Sequence, residues 1–198
     1  MSALEARIAE LFHTGHALEN VDLQHDSRVA PDATGLRAAA VLAAITDGPQ
    51  PGILLIHRPS NMRAHPGQIA LPGGKLDPGE TPVEAALREA NEELGIRDED
   101  VRVIGASDRY RTASGYDITP VVALVPPDIE LHPNPTEVAQ WFEAPLDFLF
   151  DPANHIRHTG HFNGALHSYW GIQWHEHRIW GVTAGILVNL SRRLRWHG

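Results

Sequence analysis

The chain has 198 residues, with 16 basic and 25 acidic side chains, so its formal charge is −9 when the thirteen histidines are neutral. Hydrophobic residues make up 42% and charged residues 21%, which is typical of a globular protein with a buried core and excludes a fibrous or disordered chain. The absence of cysteine excludes disulfides and thiolate chemistry. The excess of acidic residues opposes nonspecific nucleic-acid binding. The longest nearly apolar stretch, residues 38–45, is too short to span a membrane.

The N-terminal segment predicts an amphipathic helix. Ser2 and Glu5 have the spacing of a capping box, and apolar residues follow at helical spacing, so a helix is expected over residues 3–18. The same segment has neither an apolar secretory core nor the acid-poor, Arg-rich character of a transit peptide, which favours a cytoplasmic location. Because no linker is long enough to separate domains, we expect one domain over residues 1–198.

Downstream of a polar loop at residues 19–35, the pattern is mixed. Apolar runs predict strands over residues 36–45, 52–58, 101–106 and 117–125. Residues 137–150 are predicted to be partly helical, and residues 179–194 carry apolar residues at helical spacing. Together these elements indicate an α/β fold with one core.

The pattern of residues 74–96 predicts a loop followed by a helix with a defined C-terminal end. Thr81 is a suitable N-cap, Pro82 fits the first helical position, and Glu84 completes a capping box. Gly95 is suited to the left-handed conformation that ends a helix. The helix is therefore expected to begin after Thr81 and to end before Gly95.

This helix concentrates negative charge. Nine acids and two bases lie within residues 77–100, which thus carry seven of the nine excess negative charges. Glu89, Glu92 and Glu93 fall on one side of the helix, where each like-charged pair costs a few tenths of a kcal/mol. A hard cation such as Mg²⁺, with a backbone carbonyl from the loop at 73–79, would compensate. A solvated acidic helix face is the alternative.

The same segment resembles the Nudix box, Gly-x5-Glu-x7-Arg-Glu-U-x-Glu-Glu-x-Gly-U, in which U is apolar. Every fixed position matches, and Ala90 is a small residue at an apolar position. The resemblance implies an α/β/α sandwich with a mixed sheet and a strand-loop-helix-loop catalytic element. It also implies hydrolysis of a nucleoside diphosphate linked to a further moiety, with Mg²⁺ or Mn²⁺ as the cofactor.

The resemblance assigns roles residue by residue. The implied metal ligands are the side chains of Glu89, Glu93 and Glu92 and the carbonyl of Gly73. Arg88 is expected to orient a glutamate, and Glu80 to brace the loop. In this chemistry, metal ions neutralise the phosphate oxygens and activate a water that attacks phosphorus, so no covalent nucleophile is needed.

The residues just before the box resemble the signature of coenzyme A pyrophosphatases, Leu-Leu-Thr-x-Arg-(Ser/Ala)-x3-Arg-x3-Gly-x3-Phe-Pro-Gly-Gly. The matching positions are Arg58, Arg63, Gly67 and residues 72–74, and the departures are Ile56, Pro59 and Leu71. With weaker matches downstream, the resemblance covers about residues 36–190. It implies that coenzyme A or a derivative is cut to 3′,5′-ADP and a 4′-phosphopantetheine portion.

Several polar side chains near the box are candidates for substrate binding: Arg58, Arg63, His65, Gln68 and Lys75. The two arginines suit bidentate binding of phosphate, and an ion pair with an acid of the box is the alternative for each. Glu137 is the best downstream candidate for a catalytic base or an extra metal ligand. A position at the N-terminus of a helix after Asn-Pro-Thr is the competing interpretation for Glu137.

Two features near the C-terminus invite other interpretations. Seven histidines lie from His155 onward, but they lack a helical His-x3-His pair with a carboxylate, so no zinc site is predicted. Trp170, Trp174 and Trp180 are expected to form core or homodimer contacts, with an aromatic face for a pantetheine arm as the alternative.

Two other functions remain open at this point. One is a Nudix pyrophosphatase that acts on ADP-ribose or dinucleotide polyphosphates. The other is a noncatalytic, ligand-sensing Nudix domain. Such domains typically lose glutamates of the box, whereas this chain retains Glu89, Glu92 and Glu93.

Overall fold

The computed structural model describes residues 1–30, 33–60, 67–162 and 164–197. Arg63 and His65, two of the predicted substrate-binding residues, lie outside the described residues. The helices are α1 (Ala3–His16), α2 (Pro82–Leu94), α3 (Leu146–Phe150) and α4 (Val182–Leu194), with short 3₁₀ helices at Asp98–Asp100 and Pro152–Asn154. The strands are β1 (Arg37–Thr46), β2 (Gly52–His57), β3 (Ile69–Ala70), β4 (Gly73–Lys75), β5 (Arg102–Ala106), β6 (Tyr110–Thr112), β7 (Tyr116–Val125), β8 (Gln140–Pro145), β9 (Ile156–Phe162), β10 (Ala165–Trp174) and β11 (His177–Trp180).

A mixed sheet forms the centre of the fold. β1 and β7 pair in parallel along their whole lengths, whereas β2 and β4 pair antiparallel with β1, and β5 and β6 with β7. Successive residues of β1 alternate between two cores: Leu42 packs with α2 on one face, and Ala43 packs with α4 and Ile8 of α1 on the other. The layering is α/β/α, which confirms the predicted fold class.

Helix α2 has the ends that its sequence predicts. The Thr81 hydroxyl accepts a hydrogen bond from the backbone N–H of Glu84 at 3.3 Å, and the Glu84 carboxylate accepts one from the N–H of Thr81 at 2.7 Å. Gly95 closes the helix in the left-handed conformation, with φ of 72°. None of the helices in the described ranges is long and apolar enough to cross a bilayer.

Two predicted helix boundaries were wrong. The N-terminal helix ends at His16 rather than at residue 18. Residues 177–180 are strand β11, in which Ile179 pairs with Ile172 of β10, so α4 begins only after Gly181. Residues 137–150 are partly helical, as predicted: α3 is the helical part, and a turn and the strand β8, which pairs with the buried strand β2, precede it.

The strands β9, β10 and β11 form a second, three-stranded sheet beside α4. Trp170 and Trp174 of β10 are half-buried and pack against the core on the α4 side, as predicted. Trp180 of β11 is 41% exposed. Homodimer contacts through the tryptophans, and a single domain over residues 1–198, stay predictions.

Candidate active site

A cavity of about 450 Å³ lies between the central sheet and the beginning of α4. Its charged and amide side chains are those of Arg58, Gln68, Lys75, Glu89, Glu93 and Glu137. Aliphatic side chains line much of the rest: Val41, Ile69, Leu71, Ile118, Val182 and Ile186. Hydroxyl-bearing and aromatic residues also line it: Thr112, Ser114, Tyr116, Thr183 and Trp180. Carboxylates and a largely apolar surface therefore border the same space.

Two glycines of β4 allow the carboxylates of α2 to reach this cavity. A Cβ atom at Gly74 would lie 2.3 Å from Oε1 of Glu89, and one at Gly73 would lie 2.3 Å from the carbonyl oxygen of Ala40. The N–H of Gly73 also donates a hydrogen bond to Oε2 of Glu93 at 2.9 Å. A Cβ at Gly73 would collide with the backbone of β1, so β4 requires a glycine there, and a Cβ at Gly74 would displace the Glu89 carboxylate.

Glu93 is the most buried of the candidate ligands, with 1% of its surface exposed. Besides the Gly73 N–H, its carboxylate faces the Arg58 guanidinium, with Nη1 at 3.5 Å from Oε1. Burial, together with the nearby carboxylates of Glu89 and Glu137, raises the pKa of Glu93 to about 8 against the lowering effects of the Gly73 N–H and of Arg58. Three carboxylates line the cavity, those of Glu89, Glu93 and Glu137, whereas its lining includes two cations, Arg58 and Lys75.

Arg88 forms hydrogen bonds and ion pairs with three glutamates of the segment that resembles the Nudix box. Its guanidinium donates to Glu80 at 2.7 and 3.1 Å, to Glu89 at 3.0 Å and to Glu92 at 3.4 Å. It also donates to the carbonyl of Lys75 at 2.9 Å. Hydrogen bonding to Glu80 raises the pKa of Arg88, so the side chain is a permanent cation that orients Glu89 and ties α2 to the preceding loop.

The predicted site residues separate into three groups. The cavity is lined by Arg58, Gln68, Gly73, Lys75, Glu89, Glu93 and Glu137. Arg88 and Glu92 do not line it, and half of the Glu92 side chain is exposed. Arg63 and His65 lie outside the described residues. For Arg58 the structure contains the ion pair that was one of two alternatives, and its Nε is buried without a hydrogen-bond partner among the described residues.

Glu137 lies in a turn, so the alternative of a helix N-terminus was wrong. The carbonyl of Asn134 accepts hydrogen bonds from the N–H groups of Glu137 and Val138, at 3.0 and 2.8 Å, and β8 follows directly. This turn brings Glu137 to the cavity, where its charge contributes to the raised pKa of Glu89, which burial raises most strongly.

The sequence did not single out the wall that α4 provides. Val182, Thr183 and Ile186 line the cavity, and the Thr183 hydroxyl donates to the carbonyl of Ile69 at 2.9 Å. The weak downstream resemblance includes Val182 and Thr183 but assigns them no role, and the packing of α4 beside β3 is what places them at the site. Helical periodicity predicted an apolar face on α4, but it did not predict which part of the fold that face contacts.

The donor set fits a hard divalent cation. Glu89 and Glu93 offer carboxylate oxygens, the ligand type that Mg²⁺ and Mn²⁺ prefer, and burial raises the pKa of both, so a bound cation would offset the cost of their charge. Within the described ranges, no three Asp, Glu or His side chains are close enough together to hold a metal ion. The candidate ligands are therefore neighbours in one cavity rather than a complete metal cage.

The model of the NUDIX domain family matches residues 36–161 of the chain. The chain belongs to the Nudix family. Two curated relatives, each described as "Uncharacterized Nudix hydrolase NudL", come from Enterobacter sp. (strain 638) and Escherichia fergusonii. The first is 39% identical over 173 residues, covering 84% of this chain and 88% of the relative, and the second is 41% identical over 160 residues, covering 80% and 83%.

A solved structure adds a likeness of fold. The crystal structure of a MutT/nudix family protein from Enterococcus faecalis has a TM-score of 0.50 at 14% identity, covering 97% of this chain and 73% of that chain. As a Nudix hydrolase, the chain is assigned to enzymes that act on small nucleoside diphosphate-linked substrates and generally use divalent metals such as Mg²⁺ or Mn²⁺. The Nudix box is the segment 74–96, which contains α2 and the loop before it.

Proposed function

We propose that this Nudix hydrolase cleaves coenzyme A and its thioester or disulfide derivatives at the diphosphate. The products would be 3′,5′-ADP and 4′-phosphopantetheine or its derivative. The observation that carries the proposal is the apolar wall beside the carboxylates, formed by Val41, Ile118, Val182 and Ile186. The pantetheine arm carries a gem-dimethyl group close to its phosphate, which suits an aliphatic wall.

The same wall disfavours ADP-ribose as the preferred substrate. In ADP-ribose the group beyond the diphosphate is a second ribose, whose hydroxyls lose water on burial and need hydrogen-bond partners. Val182 and Ile186 offer none from their side chains. The motif that ends in Pro72-Gly73-Gly74 gives independent support, because it resembles the coenzyme A pyrophosphatase signature.

In the proposed reaction, a water oxygen forms a bond to one phosphorus of the diphosphate while the bond from that phosphorus to the bridging oxygen breaks. Glu89 and Glu93, with the carbonyl of Gly73, would hold Mg²⁺ or Mn²⁺, which when bound neutralises phosphate charge and lowers the pKa of a bound water. Arg58 and Lys75 would bind the phosphate oxygens. Glu137 would accept the proton from the attacking water, and the leaving phosphate departs as a phosphomonoester.

Glu137 is assigned as the proton acceptor because of its surroundings. It lines the cavity, whereas Arg88 holds Glu80, Glu89 and Glu92 in ion pairs. The Glu137 side chain accepts a hydrogen bond from the neutral amide of Asn134, at 3.2 Å. Glu89 and Glu93, by contrast, form ion pairs with Arg88 and Arg58, so Glu137 is the cavity carboxylate best placed to face the attacking water.

The test is a panel of coenzyme A, acetyl-coenzyme A, ADP-ribose and diadenosine tetraphosphate with saturating Mg²⁺, with products identified by mass spectrometry. Coenzyme A compounds should have the highest kcat/KM and should release 3′,5′-ADP. Glu93→Gln is the matched inactive control, since it keeps the shape of the side chain. If kcat/KM for ADP-ribose or for the diadenosine compound is tenfold higher than for coenzyme A, the substrate assignment is wrong. The assignment to the Nudix hydrolases would be unaffected.

A further inference from the structure

Asn134 connects two carboxylates of the cavity, although it does not itself line the cavity. Its backbone N–H donates a hydrogen bond to the carbonyl oxygen of Glu93 at 2.9 Å. Its side-chain Nδ2 donates to Oε1 of Glu137 at 3.2 Å. One residue therefore joins the C-terminal part of α2, which carries the candidate metal ligands, to the carboxylate that lies beside them in the loop before β8.

The orientation of the Asn134 amide is fixed from its other side. Its Oδ1 accepts hydrogen bonds from the N–H and from the hydroxyl of Thr136, at 3.1 and 2.8 Å. Because the backbone N–H of Thr136 can only donate, the amide oxygen must face Thr136 and the amide nitrogen must face Glu137. The Glu137 carboxylate thus receives a directed donor rather than an interchangeable contact.

The backbone around Asn134 adds a second constraint. The Asn134 carbonyl closes the turn by accepting from Glu137 and Val138, and the neighbouring His132 N–H donates to the carbonyl of Leu94 at 2.8 Å. The loop before β8 is therefore hydrogen-bonded to the end of α2 at two successive points. A change in this loop would move Glu137 relative to Glu93, while the core contacts of α2 would stay in place.

We propose that Asn134 is a positioning residue that holds the Glu137 carboxylate in its reactive orientation. The inference rests on the proposed function, in which Glu137 accepts a proton from water. Without the donated hydrogen bond, Glu137 gains rotamer freedom, and a misplaced general base lowers kcat more than KM. An asparagine suits this position because it accepts from Thr136 and donates to Glu137 at the same time.

The decisive variant is Asn134→Asp, because aspartate keeps an oxygen acceptor for Thr136 but an ionised aspartate cannot donate to Glu137. We expect kcat to fall by about tenfold, with KM changed less than twofold and an unchanged Tm. The matched control is Asn91→Asp on α2, whose amide donates to the carbonyl of Ile96 at 3.0 Å outside the cavity. This control should leave kcat unchanged.

A double-mutant cycle distinguishes positioning from a general structural effect. If Asn134 acts through Glu137, Asn134→Asp should cost less than twofold in kcat when Glu137 is already Gln. An equal loss in both backgrounds, no loss in either, or a loss that follows a drop in Tm would overturn the proposal. In those cases wild-type turnover shows that the proposed function stands. A wild-type enzyme that cleaves no diphosphate in the panel would refute both.

Discussion

Arg58 and Glu93 face each other at 3.5 Å in the cavity, where 1% of the glutamate side chain and 21% of the arginine side chain are exposed. The guanidinium is a cation beside a carboxylate that the resemblance assigns as a metal ligand. Arg58 also lines the cavity, where a guanidinium can bind phosphate. The ion pair and the phosphate clamp, which the sequence left as alternatives, thus involve the same group.

The first prediction concerns the metal ligands. Glu93→Gln and Glu89→Gln should each lower kcat by at least ~10³, because loss of a charged ligand weakens the cation that stabilises the transition state. Glu92→Gln should cost less, since Glu92 is half exposed and does not line the cavity. Steady-state kinetics with Mg²⁺ and with excess chelator measures this.

Glu99→Gln provides the matched control, because 71% of the Glu99 side chain is exposed outside the cavity. It should behave as wild type. Full turnover in chelator, or near-normal turnover of both the Glu89 and Glu93 variants, would contradict the assignment of these residues to a metal.

The second prediction concerns the phosphate clamp. Arg58→Lys keeps the charge but loses the bidentate geometry, so KM should rise several-fold. Arg97→Lys is the control, because Arg97 is exposed and pairs with Glu99 and Asp100 away from the cavity. Unchanged KM with a lowered Tm would mean that Arg58 only compensates the charge of Glu93.

The sequence predicted the parts of the site that local chemistry determines. The ends of α2 follow from Thr81, Glu84 and Gly95, whose hydrogen bonds and backbone conformation involve neighbours within a few residues. Helical periodicity also predicts that Glu89 and Glu93 lie on one side of α2, and both line the cavity, whereas Glu92 does not. These features need no knowledge of distant contacts, and all of them are present in the structure.

Long-range pairing determines what the sequence missed. Ile179 fits a helical pattern, but its pairing with Ile172 makes it part of β11. The apolar wall from α4 depends on how that helix packs against β3, and the contact between Asn134 and Glu93 depends on a loop that returns to α2. Periodicity describes one element at a time, so it cannot predict such contacts.

The third prediction concerns the apolar wall. Val182→Thr places a hydroxyl in the cavity with little change in volume, so it should raise KM for coenzyme A several-fold and affect ADP-ribose less. Val103→Thr is the control, because Val103 is 39% exposed on β5. An equal rise in KM for both substrates would show that the wall does not contact the pantetheine arm.

The fourth prediction concerns pH. His57 Nε2 lies 2.9 Å from Nδ1 of His177, which stacks on Phe142 at a centroid distance of 3.7 Å. Burial, followed by the charge of His177, lowers the pKa of His57. The unfolded chain therefore binds the proton first, so His57 contributes a decrease in the free energy of unfolding as the pH drops below about 6.5. The raised pKa of Glu93 contributes with the opposite sign, so the effect of His57 is measured as a difference between variant and wild type.

Chemical denaturation between pH 5 and pH 8 measures this dependence. Relative to wild type, the His57→Gln variant should gain stability as the pH falls from 8 to 5, whereas for His13→Gln, at an exposed position of α1, the difference from wild type should not change with pH. A curve that is equally steep with and without His57 would exclude this histidine as the cause.

The last prediction concerns the 3′-phosphate of the proposed substrate. If the enzyme is built for coenzyme A, it should prefer coenzyme A over dephospho-coenzyme A by about tenfold or more in kcat/KM, because each lost charge-assisted hydrogen bond costs roughly 1.5 to 3 kcal/mol. Both compounds carry the same diphosphate and the same pantetheine arm, so the comparison isolates the 3′-phosphate. The measurement is kcat/KM for both under one metal concentration. Equal values, with both cleaved faster than ADP-ribose, would mean that recognition lies in the pantetheine arm and that no cationic pocket binds the 3′-phosphate.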